Sequence, residues 1–162
     1  MGIGNQLFFL WKNGYKRLEG FDLSENAITL ANQINDKFNC GIKFGIADIT
    51  KDIPSLNLEN KVIFTSVCLE QLKHYMKPIL DNLLKMKPRM VIHFEFSLEH
   101  STKLSREYVK ARDYQTNLLP LLKQMQDEDL IKIVKCEPLG VSSPVINLTF
   151  ISWKPNNDEY DK

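Results

Sequence analysis

The sequence predicts an α/β protein: a mostly parallel sheet with helices on both faces, closed by a pair of antiparallel strands. Two observations carry this. Short strand-like apolar runs alternate with stretches of helical spacing along most of the chain. The last two strand-like runs are joined by a Gly/Ser/Pro turn, with no helix between them. Strand–helix alternation builds parallel pairs, whereas a tight turn builds an antiparallel one.

Residues 5–13 read as a helix with Leu7, Phe8, Leu10 and Trp11 on its apolar side, ended by Gly14. A short strand follows at 17–21. Ser24 can cap the next helix, in which Ala27, Ala31, Ile34 and Phe38 recur at helical spacing. Residues 42–47 form a second strand. Residues 61–67 form a third, whose continuous apolar run implies burial on both faces. The following helix turns Leu72, Met76, Ile79 and Leu83 to one side, and Pro78 makes its first turns irregular. Residues 90–96 are a fourth strand, approached through Lys87-Pro88. One long helix is predicted over 108–127, with Leu118, Leu122 and Met125 inward and a kink at Pro120. Strands at 130–136 and 145–153 flank the turn 140–144. Residues 1–155 make one domain, and 156–162 a polar tail.

The chain has 162 residues, enough for a sizeable core. Lysine and arginine total 21 against 20 aspartates and glutamates, which argues against nucleic acid or an anionic membrane held by bulk charge. Cys40, Cys68 and Cys136 are odd in number and far apart, so neither a disulfide framework nor a metal site is expected, and a cytoplasmic location fits. No apolar run approaches the ~20 residues that span a bilayer.

In an open α/β sheet, ligands bind outside the carboxyl ends of the strands. Gly2-Ile3-Gly4-Asn5 stands directly before the first helix, where glycines allow close backbone approach and the helix N-terminus offers N–H groups. Asp22 ends the first strand read here, 18 residues after Gly4; a carboxylate there suits ribose hydroxyls, or else caps a helix beside Ser24. Asp48, ending the next strand before Ile49, suits an adenine amino group, or else a turn.

Taken together, Gly2-Ile3-Gly4-Asn5, Gly20-Phe21-Asp22-Leu23-Ser24, Ala47-Asp48-Ile49 and Thr65-Ser66-Val67-Cys68-Leu69-Glu70-Gln71 resemble, in order and spacing, the motifs of class I S-adenosylmethionine-dependent methyltransferases. The resemblance spans nearly the whole chain. It implies a Rossmann-like three-layer fold with strand order 3-2-1-4-5-7-6 and S-adenosyl-L-methionine as cofactor. Gly2 and Gly4 would approach the methionine part, Asp22 would bind the ribose, Leu23 would border the adenosine, and Asp48 with Ile49 would hold the adenine. Ser66 would lie near the cofactor. Gln71 stands where many relatives carry histidine. The family's first strand and the acid opening its glycine loop would fall before Met1, so a chain lacking that strand is expected. Weak cofactor binding, and self-association or a partner chain at the gap in the sheet, are expected with it.

Methyl transfer chiefly requires positioning, with a base only when the acceptor starts protonated. Candidate catalytic residues are Glu95, at the rim of the fourth strand, and His93, His100 and Tyr114. His93 lies inside its strand and reads equally as a core residue. The expected activity is methyl transfer to a small-molecule or glycan acceptor. The alternatives are a non-catalytic methyltransferase-like subunit and another Rossmann-like nucleotide binder such as a dehydrogenase.

Overall fold

The computed structural model describes residues 2–51, 58–139 and 147–156. The turn 140–144 and tail residues 157–162 lie outside the described residues. The chain divides into two compact units, Met1–Ile53 and Pro54–Lys162.

In the first unit, α1 (Asn5–Lys12) leads to β1 (Glu19–Asp22), α2 (Glu25–Phe38) and β2 (Lys43–Ile46). β1 and β2 pair in parallel, with Phe21 beside Gly45 and Asp22 beside Ile46. The Ser24 hydroxyl caps α2 by accepting from the Ala27 amide at 3.3 Å. Asn39, with φ 49°, ends it in the left-handed conformation that asparagine tolerates. α2 packs on both strands. Its buried residues are Ile28 and Ala31, while Phe38, expected inward, is 58% exposed. The apolar stripe therefore runs through Ile28 and stops short of the last turn.

In the second unit, β3 (Val62–Ser66) is followed by a 3₁₀ turn (Lys73–Tyr75), α3 (Met76–Lys85), β4 (Met90–Phe96) and a second 3₁₀ turn (Leu98–His100). Then come α4 (Lys103–Ala111), α5 (Leu118–Asp127), β5 (Ile131–Pro138) and β6 (Leu148–Pro155). The sheet order is β3-β4-β6-β5. β3 and β4 are parallel, and β6 is antiparallel to both β4 and β5. Across the two units the pairings are two parallel, β1-β2 and β3-β4, and two antiparallel, β4-β6 and β5-β6.

Two expectations need correction. The single helix over 108–127 is two helices. Thr102 caps α4, accepting from the Ser105 amide at 3.2 Å, and the chain turns at Asp113, φ 52°. Pro120 falls in the first turn of α5, where a missing N–H costs no intrahelical bond, so it marks a helix start and produces no kink. Pro78 occupies the same position in α3, after the irregular 3₁₀ turn. The second correction concerns β3, which stands at one end of its sheet. Val62 is 53% exposed and only Thr65 is buried, so the strand is not covered on both faces.

The core of the second unit gathers Met76, Ile79, Leu80 and Leu83 of α3, Leu118, Leu122 and Met125 of α5, and Val91, Ile151 and Trp153 of the strands, all buried. Emptying such a site costs the lost transfer energy plus a cavity. Leu83→Ala should therefore destabilise the protein by about 2–5 kcal/mol in urea denaturation.

Candidate functional site

The first unit assembles the glycine segment and the acids at one end of its sheet. Gly2 and Gly4 both have positive φ, 58° and 88°. Gly4 is the N-cap of α1, and its carbonyl accepts the first helical bond from Phe8 at 3.0 Å. A β-carbon at Gly4 would be strained by the positive φ and would stand 3.1 Å from the Phe44 ring, which would have to give way. The Gly2 amide donates to Asp22 Oδ2 at 2.7 Å, and the Ser24 amide donates to Oδ1 at 3.0 Å. The segment before α1 is thus tied to the acid that ends β1. Burial acts to raise the Asp22 pKa, but the amides of Ser24 and Gly2 outweigh it and hold the carboxyl below its usual range.

The Ala47 amide donates to the Asp22 carbonyl at 3.0 Å, which sets Asp48 just beyond the carboxyl end of the neighbouring strand. Asp48 Oδ1 accepts from the Thr50 hydroxyl at 2.6 Å and the Thr50 amide at 3.0 Å, and Oδ2 lies 3.2 Å from Lys51. These contacts, the Thr50 hydroxyl first, hold its carboxyl below the usual range. Leu23 is 66% exposed, and Ile49 is half-buried. Gly2, Gly4, Asp22, Leu23, Asp48 and Ile49 are therefore all brought into one unit.

The other predicted residues lie in the second unit. Ser66 ends β3 and is half-buried. Glu95, expected at the rim, is fully buried, because it lies on the same face of β4 as Val91 and His93, the face turned to the core. His93 is fully buried between Thr65 of β3 and Ile151 of β6, its register partners. Trp153 Nε1, which can only donate, lies 2.9 Å from His93 Nε2. Burial pushes the His93 pKa down to about 3, so the ring is neutral. Its proton must then sit on Nδ1, which donates to Thr65 Oγ1 at 2.8 Å. The Thr65 hydroxyl donates a hydrogen bond to the Glu95 carboxyl group, whose pKa burial raises against the opposing bonds from Thr65, Cys68 and Leu69.

His100 is half-buried, with Nδ1 3.1 Å from Thr149 Oγ1. Tyr114 sits edge-on to Tyr108 at 6.1 Å, and desolvation, then the Glu70 carboxylate, keep its phenol above the usual range. Cys68, beside Glu95, is a thiol rather than a thiolate: burial first, then the Glu95 charge, push it up to about 12. Thr65 and Trp153 went unrecognised in the sequence. Their signal was a threonine and a tryptophan on apolar strands, in phase with a buried histidine. Among the described residues, no group of three or more histidine, cysteine or acidic side chains could hold a metal, and no helix is long and apolar enough to cross a membrane.

No protein-family model matches the chain, and no curated protein matches it by sequence. Solved structures do resemble it. An S-adenosylmethionine-dependent methyltransferase from Methanosarcina mazei superposes with a TM-score of 0.72 at 14% identity, covering 95% of this chain and 88% of the other. Magnesium protoporphyrin IX methyltransferase from Synechocystis, solved with bound S-adenosylhomocysteine, gives 0.70 at 14% identity over 95% and 70%. Geranyl diphosphate C-methyltransferase from Streptomyces coelicolor, solved with S-adenosyl-L-homocysteine, geranyl diphosphate and Mg2+, gives 0.67 at 9% over 95% and 69%. The chain has the class I S-adenosylmethionine-dependent methyltransferase fold, a Rossmann-like α/β architecture.

Two measurements test this geometry. Gly4→Ala should cost about 1–2 kcal/mol or more in denaturant unfolding, since it adds a left-handed alanine and a contact with Phe44. An unfolded histidine titrates near 6.5, so burying His93 neutral contributes stability that is present above that pH and is lost as pH falls from there toward 3. Nitrogen-15 NMR should show the His93 ring neutral, with its proton on Nδ1, at pH 5. An imidazolium signal at that pH would refute the assignment.

Proposed function

We propose that the protein binds S-adenosyl-L-methionine and transfers its methyl group to a small-molecule or glycan acceptor. The observation that carries the reading is the bond from the Gly2 amide, just ahead of Gly4 and α1, to Asp22 at the carboxyl end of β1, with Asp48 just beyond the end of the strand beside it. In this reading Gly2 and Gly4 admit the methionine arm, Asp22 accepts from the ribose, Leu23 and Ile49 border the adenosine, and Asp48 faces the adenine. Ser66, in the second unit, is expected near the cofactor from the resemblance alone. The cofactor supplies an electrophilic sulfonium methyl group. The chain's own contribution is to hold the reactants in line and exclude water.

The support for a small acceptor comes from proteins of the same fold, whose names give magnesium protoporphyrin IX and geranyl diphosphate as substrates. Glu95 and His93 have no exposed surface and are set aside as bases. His100 is the remaining imidazole near the carboxyl end of β4, held through Nδ1 and thus oriented.

The second reading is a non-catalytic subunit of the same fold. It is favoured by the engagement of both Asp22 oxygens and both Asp48 oxygens by the protein's own groups. A different Rossmann-like nucleotide binder, such as a dehydrogenase, is the third. S-adenosylhomocysteine should raise the melting temperature and NADH should not, because only a ligand of the native state stabilises it. Asp22→Ala should weaken S-adenosylhomocysteine binding by about 1–3 kcal/mol in calorimetry, since a charged acceptor is removed. Stabilisation by NADH alone would overturn the assignment. No response to either would favour the non-catalytic reading.

A further inference from the structure

The first unit carries a second concavity, away from its acids. α2 starts just after Asp22, at the carboxyl end of β1, and closes at Phe38, shortly before β2 begins. Its 14 residues run for about 21 Å, so Phe38 and Cys40 lie toward the amino end of β2, remote from Asp48. Between α1 and the later turns of α2 the surface forms an open groove of about 340 Å³. Phe8, Phe9 and Trp11 line it from α1, Ile34 and Phe38 from α2, and the buried Cys40 from the turn that follows. Phe9 and Phe38 are 67% and 58% exposed, so two large apolar side chains share one patch instead of standing singly on the surface.

The lining is fixed from behind without being filled. The Phe8 ring packs on Phe44 with centroids 5.7 Å apart. The end of α1 is closed by the Asn13 side-chain amide on the Phe9 carbonyl at 2.8 Å and the Tyr15 amide on the Leu10 carbonyl at 3.2 Å. The turn after α2 is tied at Asn35, whose carbonyl accepts from the Cys40 amide at 3.1 Å and whose side chain accepts from the Ile42 amide at 3.0 Å. A preformed apolar concavity of this size suits a small ligand.

The charge beside the groove has one sign. Lys12 lines it, and Lys37 Nζ stands 5.6 Å from the centroid of the Phe38 ring. Among the described residues no acid lines it. Asp36 is two positions from both Ile34 and Phe38, about 200° round the helix from each, and so belongs to another face. Lys12 and Lys37 stand in the last turns of α1 and α2, where each helix end carries about −0.5 charge. Two ammonium groups outweigh two such ends and leave the mouth positive by about one charge.

We propose that this groove binds a hydrophobic carboxylate, a small organic anion whose apolar body lies among the aromatic rings while its carboxylate meets Lys12 and Lys37. A neutral ligand of the same shape would use the rings and leave the lysines idle. A cation would meet repulsion. The site is separate from the one read as binding S-adenosyl-L-methionine and does not depend on that reading.

The experiment titrates the full chain at pH 7 with octanoate, 1-octanol and octylammonium, equal in chain length and kept below micelle-forming concentrations. NMR follows the Trp11 indole N–H and the Ile34 methyl groups, with the buried Trp153 indole as control. Octanoate should shift the Trp11 and Ile34 signals saturably and leave Trp153 unmoved. Octanol should bind about three- to fivefold more weakly, the size of an exposed ion pair, and octylammonium more weakly still. Lys12→Gln should bring octanoate to within about twofold of octanol, and Phe38→Ser should weaken all three probes. Octanol or octylammonium binding as tightly as octanoate would overturn the anionic class of ligand. Absence of a saturable shift at Trp11 and Ile34 would overturn the site itself. Trp11 signals that move with protein concentration alone, together with a dimer in sedimentation, would show a second copy in the groove and overturn the small-ligand proposal.

Discussion

A carboxylate with no solvent-exposed surface must be met by donors, and in the second unit that requirement organises the central strands. Glu95 is satisfied by a hydroxyl and two backbone amides. The hydroxyl is that of Thr65, the register partner of His93 on β3; His93 donates to it through Nδ1 and accepts from the Trp153 indole through Nε2. Thr65, His93 and Trp153 are therefore not separate choices. The parallel register that places Thr65 against His93, and the antiparallel register that places Trp153 against Val91, are what bring the row into line. A one-residue slip of either strand would turn half of these side chains to the other face.

The first unit follows a different logic. Its acids are held in polar turns at the sheet's end, and its glycines are fixed by backbone conformation. Asp22 caps the Ser24 amide locally and receives Gly2 across the unit. One carboxylate therefore makes the helix-entry cap that the sequence offered and, in addition, a bond to the glycine segment that the sequence did not predict. The bond to Gly2 contributes order to a segment that would otherwise lose conformational freedom only on binding a ligand.

Much of this was legible in the sequence where a single period ran without interruption. β4 matched its predicted bounds because apolar residues, a turn and Lys87-Pro88 all agreed. α2 was legible through Ser24. The helix over 108–127 was misread because Tyr108, Leu118, Leu122 and Met125 keep a helical phase across a break. The break is made by Asp113 in the left-handed region and by Gln115, whose amide donates to the Phe96 carbonyl at 2.9 Å and whose oxygen accepts from Leu118. Such long-range tertiary bonds leave no periodic trace. Pro120 was the available signal, read as a kink when its position in a first turn marked a start. Glu95 was misplaced for a related reason. Charge alone suggests a rim, and only the donors supplied by Thr65, Cys68 and Leu69 make burial possible.

The burial of these groups also narrows the chemistry that the fold can perform. His93 is neutral and surrounded, Cys68 is a protonated thiol, and the oxygens of Glu95 are spent on the turn. His93 and Glu95 have no exposed surface, and the half-buried Cys68 is held as a protonated thiol. The Tyr114 phenol is pushed away from ionisation by burial and by Glu70. Within the proposed function, the candidate imidazole left near the carboxyl end of β4 is His100, whose Nδ1 lies 3.1 Å from Thr149 Oγ1. An acceptor that arrives already nucleophilic, such as a neutral amine or a stabilised anion, needs no general base. Under the proposed function, such acceptors are the ones that positioning alone would serve.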